Sequence, residues 1–328
     1  MNIFAFEPSE YRDRFRRDGW VHIPGGMTPE FLAYLQEFAH RSLEATRLEA
    51  FAIKGKKEQS IFDFPDTVEY PDELFDVVAE VCGLDRERMT LSERHIQAYE
   101  ANADPEPAPH KDRFGSQVSV GFSVVVPEGS KLVLYPDDCL DVNPFNSSKT
   151  YYKSLPPDRL PSVALAGARE VEIADRPGDV VMFHGSTTWH LRRNSANAIN
   201  LYVKFNDFAC DPLGEDPATP MLEDATRRAL EAGDERSRLV PSVSRRLDTI
   251  SREYTRDAWR EVLWATVFGE EPFTISEEQL ALVQAADGTR SWRAVTAAAA
   301  NGHQAESLDD ALADLVRHGV LDLQAATT

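Results

Sequence analysis

The first 92 residues carry apolar positions at the three- and four-residue spacing of helices. One such segment starts at Thr28-Pro29, which provides an N-cap residue and a proline at the first helical position. A second helix is predicted over residues 72–83. Upstream, the apolar stretch 19–24 ends in proline and glycine and predicts a short strand. We therefore expect residues 1–92 to form a mainly helical support for the central part of the chain.

From residue 93 to residue 207 the pattern changes to short strand-like runs separated by turns rich in Pro, Gly, Asn and Asp. Many short strands with such turns predict a sandwich or a barrel. Three of the runs place polar or small residues at every second position, on one face of the strand. These residues are His95, Gln97 and Tyr99; Gln117, Ser119, Gly121 and Ser123; and Asn200, Tyr202 and Lys204. A polar inward face predicts the wall of a ligand cavity.

The last third of the chain returns to helix-like patterns. Residues 208–268 are rich in Arg and Glu and predict a polar helical segment, which Glu270-Glu271-Pro272 separates from the rest. Residues 269–328 predict three helices and a short final strand. This arrangement resembles a small winged-helix-like module, and we expect it to support protein interaction or a homodimer.

The composition narrows the function classes. The 328 residues include 55 Asp and Glu against 35 Lys and Arg, a formal net charge of −20. This acidic field repels nucleic-acid phosphates and anionic lipid, so we expect neither nucleic acid nor a membrane as partner. Cys82, Cys139 and Cys210 are scattered and odd in number, which argues against a disulfide framework. The first residues lack a signal-peptide core, so we expect a cytoplasmic protein.

The candidate chemistry lies in two motifs of the central region. His110 and Asp112 are two residues apart, so an extended chain directs both side chains to the same side. A later buried strand that follows Gly178-Asp179 leads to two further histidines, His184 and His190. Two imidazoles and one carboxylate form the facial triad of non-haem Fe(II) oxygenases, which leaves coordination positions open for a cosubstrate and O₂.

The order of the motifs resembles the phytanoyl-CoA dioxygenase-like branch of the Fe(II)/2-oxoglutarate oxygenases. The segments that carry the resemblance lie within about residues 11–207 and read FRRDGWVHIPGGMTPEFLAYLQEF, HKD and GDVVMFHGSTTWHLRRNS. The resemblance implies an α+β fold with a double-stranded β-helix (jelly-roll) core. It also implies Fe(II), 2-oxoglutarate and O₂ as cofactor and cosubstrates, with His110, Asp112 and His190 as iron ligands. Asp112 favours hydroxylation, desaturation or ring formation over halogenation.

One feature of that family is missing, because no arginine stands at the usual distance after the distal histidine to bind the far carboxylate of 2-oxoglutarate. We rank Lys204, Arg193 and Lys131, in that order, as replacements. Gln97, Tyr99 and Ser119 are expected to contact cosubstrate or substrate. The polar faces predict a small polar substrate, such as an amino acid or a biosynthetic intermediate.

Two other functions stay open. A JmjC-like protein hydroxylase would use Lys131 at the cosubstrate carboxylate. A metal-binding jelly-roll module without turnover would need no such cation. In the oxygenase, we expect residues 52–70 and 137–168 to form the lid.

Overall fold

The computed structural model describes residues 1–49, 57–137, 140–231, 233–256, 259–300 and 305–324. The chain divides into two compact units, Met1–Phe208 and Ala209–Thr328, which we call the first and the second unit. Cys139 and the first part of the predicted 52–70 lid lie outside the described residues. Within the described part of the chain, no helix combines the length and the apolar character needed to cross a bilayer.

The first unit begins with the predicted helices. Its early elements are α1 (Ser9–Asp18), β1 (Trp20–Ile23), α2 (Pro29–Glu49), β2 (Lys57–Ile61) and α3 (Tyr70–Cys82). Gly19 ends α1 in the left-handed conformation, with φ +74°, and turns the chain directly into β1. The strand predicted at 19–24 and the helices predicted to start near Thr28-Pro29 and residue 72 are thereby confirmed.

Six antiparallel strands form the main sheet, in the order β1-β7-β4-β9-β3-β2. The members not yet given are β3 (Thr90–Tyr99), β4 (Val118–Val125), β7 (Val180–Phe183) and β9 (Ile199–Asn206). One face is apolar: Val120 and Phe122 of β4 pack with Phe31 and Leu35 of α2 in one buried cluster. The N-terminal helices therefore cover this face, because it needs an apolar partner.

A three-stranded antiparallel sheet lies against the other face. It consists of β5 (Lys131–Tyr135), β6 (Val171–Ile173) and β8 (Trp189–Arg193), in the order β6-β5-β8. The connection from β5 to β6 contains α4 (Ser148–Ser154), a 3₁₀ turn (Pro157–Arg159) and α5 (Pro161–Ala164). Leu132 and Leu134 of β5 pack with Phe183 and Tyr202 of the main sheet. Two facing antiparallel sheets among helices are consistent with the predicted jelly-roll core.

The second unit combines helices with two small antiparallel sheets. Its elements are α6 (Thr219–Glu231), a 3₁₀ helix (Gly233–Arg238), β10 (Val240–Val243), β11 (Leu247–Thr255), β12 (Arg260–Val267), β13 (Phe273–Ile275), α7 (Glu277–Ala285), α8 (Trp292–Ala299), α9 (Ala305–Arg317) and β14 (Leu321–Gln324). The sheets are β10-β14 and β11-β12-β13. The three predicted helices and final strand of residues 269–328 are present, and their grouping as a winged-helix-like module stays a prediction.

The helical prediction for residues 208–268 holds at α6 but is wrong at Val240–Val243, Leu247–Thr255 and Arg260–Val267, which form strands β10, β11 and β12. The charged residues that suggested helical pairs lie on an exposed hairpin, where Arg252 reaches Glu261 across the two strands at 3.3 Å. Leu263 and Ala265 alternate inward, which is the period of a strand. Pairing of β12 with β13 also crosses the predicted boundary near residue 270.

Candidate metal centre and cavity

Backbone pairing brings the two motifs together. His110 and His190 exchange hydrogen bonds, since each backbone N–H donates to the other's carbonyl oxygen at 2.9 Å. Two residues on, the N–H of Asp112 donates to the carbonyl of Gly185 at 3.0 Å. The segment with His110 and Asp112 thus lies beside the start of β8, although some 80 residues separate the motifs along the chain.

Three side chains converge on one point. His190 Nε2 lies 3.7 Å from Asp112 Oδ2, and His110 Nε2 lies 4.0 Å from Asp112 Oδ1. One ligand atom from each residue lies within 4.8 Å of the others. Metal–ligand bonds of about 2.1 Å separate neighbouring ligand atoms by about 3 Å, so small rotations suffice to enclose an ion. Two imidazoles with one carboxylate fit a non-haem Fe(II) site.

Of the two candidate distal histidines, the structure brings His190 to the motif. Its Nδ1 lies 2.9 Å from the carbonyl oxygen of Thr188, which can only accept. The proton is therefore on Nδ1, and the lone pair of Nε2 is available for a metal. His184 instead packs its ring against Phe15, at 4.8 Å between centroids.

Asp112 is held ionised in a nearly closed environment. Ser119 Oγ donates to Oδ2 at 2.7 Å, and Lys204 Nζ donates to Oδ1 at 2.9 Å. Burial by itself would raise the pKa of Asp112, but the Lys204 ammonium and the imidazoles of His190 and His110 lower it below its usual range. Ser119 thereby supports a candidate ligand, and it is not among the residues that line the cavity.

Lys204 lies between two buried carboxylates. Besides Asp112, its ammonium contacts Glu93 Oε1 at 3.1 Å, and Arg113 Nε contacts Glu93 Oε2 at 3.3 Å. Burial opposes ionisation of Glu93, but Lys204, His95 and Arg113 together lower its pKa to about 2. The same carboxylates raise the pKa of Lys204 against the effect of its burial. Lys204 is therefore charged and directly beside the candidate metal position.

A cavity of about 550 Å³ opens at the three candidate ligands. Its wall includes Gln97 and Tyr99 of β3 and Tyr202 and Lys204 of β9, as the alternating pattern predicted. His95, Asn200 and the predicted polar face of β4 do not line it. The lining residues are Gln59, Glu93, Gln97, Tyr99, His110, Asp112, Arg113, Leu132, Asn146, Ser147, Ser148, Lys149, His190, Arg192, Tyr202 and Lys204. Gln97 and Tyr99 thus lie where contacts with a ligand can form.

The structure does not bring Arg193 and Lys131 to this cavity. They are partners across β8 and β5, and both face outward. Arg193 pairs with Glu106 at 2.6 Å and with Glu172 at 2.5 Å, and Lys131 pairs with Glu172 at 2.6 Å. The direction of side chains along β8 explains the position of Arg193. Side chains an odd number of residues from His190 lie on the opposite face of the strand, and Arg193 is three residues away.

Arg192 is one of three cavity cations, with Arg113 and Lys149, that the sequence pattern did not identify. It lies two residues after His190, on the same face of β8, and its side chain is 3% exposed. Its guanidinium donates to both oxygens of Asp175, at 3.2 and 2.7 Å. Burial raises the pKa of Tyr99 and Tyr202 nearby, so both hydroxyls stay protonated. Continuing the strand alternation for two residues beyond His190 would have identified Arg192.

No protein-family model matches the chain, and no curated protein does. Solved structures similar to the chain include SnoK, EctD and HygX. SnoK, a non-heme alpha ketoglutarate dependent carbocyclase from nogalamycin biosynthesis, is 17% identical, with 62% of this chain and 84% of SnoK covered and a TM-score of 0.45. EctD from S. alaskensis with bound Fe is 13% identical, with 63% and 81% covered and a TM-score of 0.42. HygX from Streptomyces hygroscopicus, with nickel and 2-oxoglutarate bound, is 13% identical, with 63% and 89% covered and a TM-score of 0.40.

Proposed function

We propose that this protein is an Fe(II)/2-oxoglutarate-dependent oxygenase that hydroxylates, desaturates or cyclises a small polar molecule. The observation that carries the proposal is the convergence of His110, Asp112 and His190 at one end of a polar cavity. These residues would hold Fe(II), which with 2-oxoglutarate would supply O₂ activation. The motif order over about residues 11–207 supports the phytanoyl-CoA dioxygenase-like branch.

In this reaction the protein would orient the metal ligands and exclude water from the metal. Thr188 fixes the tautomer of His190, and Ser119 and Lys204 hold the two oxygens of Asp112. Asp112 and His190 are nearly buried, whereas the side chain of His110 is 43% exposed. Ligands would therefore enter from the side of His110 and meet a metal whose other protein contacts are shielded.

For the far carboxylate of 2-oxoglutarate we propose Arg192. The Lys204 ammonium already contacts a metal ligand, so it is too close to the metal to meet the far end of a diacid that chelates the metal with its near end. Arg192 is one strand repeat beyond His190, about 6.6 Å along β8. Its guanidinium and the hydroxyls of Tyr99 and Tyr202 supply donors for a carboxylate. Lys204 is then a residue that positions Asp112.

The test is anaerobic addition of Fe(II) and 2-oxoglutarate to the full chain. Bidentate chelation is expected to produce a weak visible charge-transfer band, and substrate addition in air is expected to produce succinate and CO₂. His190→Ala should lose the band together with metal binding, while His184→Ala, which alters a histidine away from the triad, should keep both. Metal binding without any band would refute the assignment of 2-oxoglutarate as cosubstrate.

A metal-binding module without turnover is the second candidate. The observation that favours it is that Lys204 and Arg192 both already contact buried carboxylates. It predicts stoichiometric metal binding with no band and no succinate, so the same experiment separates the two functions. The JmjC-like hydroxylase needs Lys131 in the cavity, and the position of Lys131 beside Glu172 on the outer face speaks against it.

A further inference from the structure

Part of the cavity wall is the first turn of α4 together with the two residues before it. Residues 146–149 line the same cavity as the candidate metal ligands. Several hydrogen bonds fix the segment to the metal-ligand motif. Asn143 Nδ2 donates to the carbonyl of Asp112 at 2.8 Å, and the N–H of Phe114 donates to the carbonyl of Phe145 at 2.8 Å. This part of the predicted 137–168 lid therefore forms a wall whose position is set by the metal-ligand segment itself.

Three of the four cations that line the cavity are paired with carboxylates. Arg192 contacts Asp175, Arg113 contacts Glu93, and Lys204 contacts Asp112 and Glu93. The three cations thus face three carboxylates. The side chains of Arg192 and Lys204 are 3% and 8% exposed, so their ion pairs are weakly screened and loss of either carboxylate partner would be costly.

Lys149 is the exception in this wall. Lys149 is an exposed residue, so its ammonium is solvated, and in the part of the chain that the structure describes no carboxylate lies within 4 Å of it, although the net charge of the protein is −20. Ser147 and Ser148 line the cavity beside it. The Ser147 hydroxyl oxygen accepts from the N–H of Thr150 at 3.1 Å, so its proton is available to donate. The wall therefore presents one positive charge and hydroxyl donors toward the cavity.

We infer that Lys149, with Ser147 and Ser148, binds a carboxylate group of the substrate. The inference rests on the proposed function and names the substrate class within it. Fe(II) brings two positive charges and 2-oxoglutarate two negative ones, so the loaded cavity keeps the single positive charge of Lys149. A substrate with one carboxylate makes the cavity neutral and forms a charge-assisted hydrogen bond to Lys149. A neutral substrate leaves this exposed ammonium with water as its only partner and gains no ion pair from it.

The experiment uses the Fe(II)-loaded full chain and matched pairs of small amino and hydroxy acids with their carboxamides. Succinate formation is measured for the wild type, Lys149→Met, Lys149→Arg and Lys153→Met. The last is the control, because Lys153 lies on α4 and does not line the cavity. We expect stimulation by carboxylates only. We expect KM for the stimulating acid to rise about ten- to a hundredfold in Lys149→Met with little change in kcat, and to be largely restored in Lys149→Arg.

The charge-transfer band is measured on every variant, so that the two proposals fail separately. Equal stimulation by a carboxamide and its acid, an unchanged KM in Lys149→Met, or an equal rise in Lys153→Met overturns the carboxylate subsite. A band with no stimulation by any acid of the panel also overturns it and leaves the oxygenase assignment standing. Absence of the charge-transfer band in the wild type with Fe(II) and 2-oxoglutarate refutes the proposed function, and the carboxylate subsite with it.

Discussion

Replacing Arg192 by methionine is expected to destabilise the first unit by about 3–5 kcal/mol, because it leaves a buried carboxylate without its counter-charge. The side chain of Asp175 is fully buried and that of Arg192 is 3% exposed, so water cannot replace the lost partner. Two hydrogen bonds from the guanidinium to Asp175 disappear, and a third, to Ser130 Oγ at 3.2 Å, is lost with them. Ser123, which donates to the same carboxylate, is then the remaining side-chain donor among the described residues.

A double-mutant cycle separates the interaction energy of the Arg192–Asp175 pair from the effects of each single substitution. Arg192→Met, Asp175→Asn and the double variant are compared by native-state hydrogen exchange of amides in β4 and β8, which report on the first unit alone. The double variant should recover about half or more of the loss in Arg192→Met, because it buries no uncompensated charge. Addition of the two single effects, within about 0.5 kcal/mol, would refute the reasoning.

The same double variant tests the cosubstrate assignment without the complication of misfolding. It removes the guanidinium while keeping the charge of the cavity unchanged. We expect it to bind Fe(II) like the wild type and to lose the charge-transfer band with 2-oxoglutarate at concentrations that saturate the wild type. An unaltered titration would show that Arg192 is not the carboxylate partner.

Two further predictions concern the surroundings of the candidate ligands. A Cβ at Gly185 would overlap Ser119 Oγ and lie 2.8 Å from Asp112 Oδ2, so Gly185→Ala should weaken Fe(II) binding at least tenfold by isothermal titration; unchanged affinity would contradict this. Since the pKa of Glu93 is about 2 in the fold against its ordinary 4.5, its stabilisation is complete above about pH 4.5 and is lost as the pH falls toward 2. Glu93→Gln should therefore flatten the pH dependence of unfolding in this window, and an unchanged slope would contradict the reasoning.

Local patterns predicted much of the first unit because each depends on neighbouring residues. The cap at Thr28-Pro29 is the start of α2, and the stretch 19–24 contains β1. Alternation in β3 and β9 correctly separated side chains that line the cavity from side chains that pack on the helices, because successive side chains of a strand point to opposite faces. The polar face predicted on β4 does not line the cavity, and its Ser119 holds Asp112 instead. The prediction failed in the second unit, where residues 245–261 were expected to be helical and form a hairpin. Their Arg and Glu residues suit an exposed helix as well as an exposed hairpin.

Sequence by itself determined the types of ligand: the spacing of His110 and Asp112 directs both side chains to one side of an extended chain. Tertiary structure decided which partners meet them. Cross-strand register placed His190 beside His110, and the phase of β8 turned Arg192 inward and Arg193 outward. The cavity cations pair with carboxylates that are distant in the chain: Arg192 pairs with Asp175, and Lys204 pairs with Glu93. These pairings arise from strand register and burial, which no local pattern of residues contains.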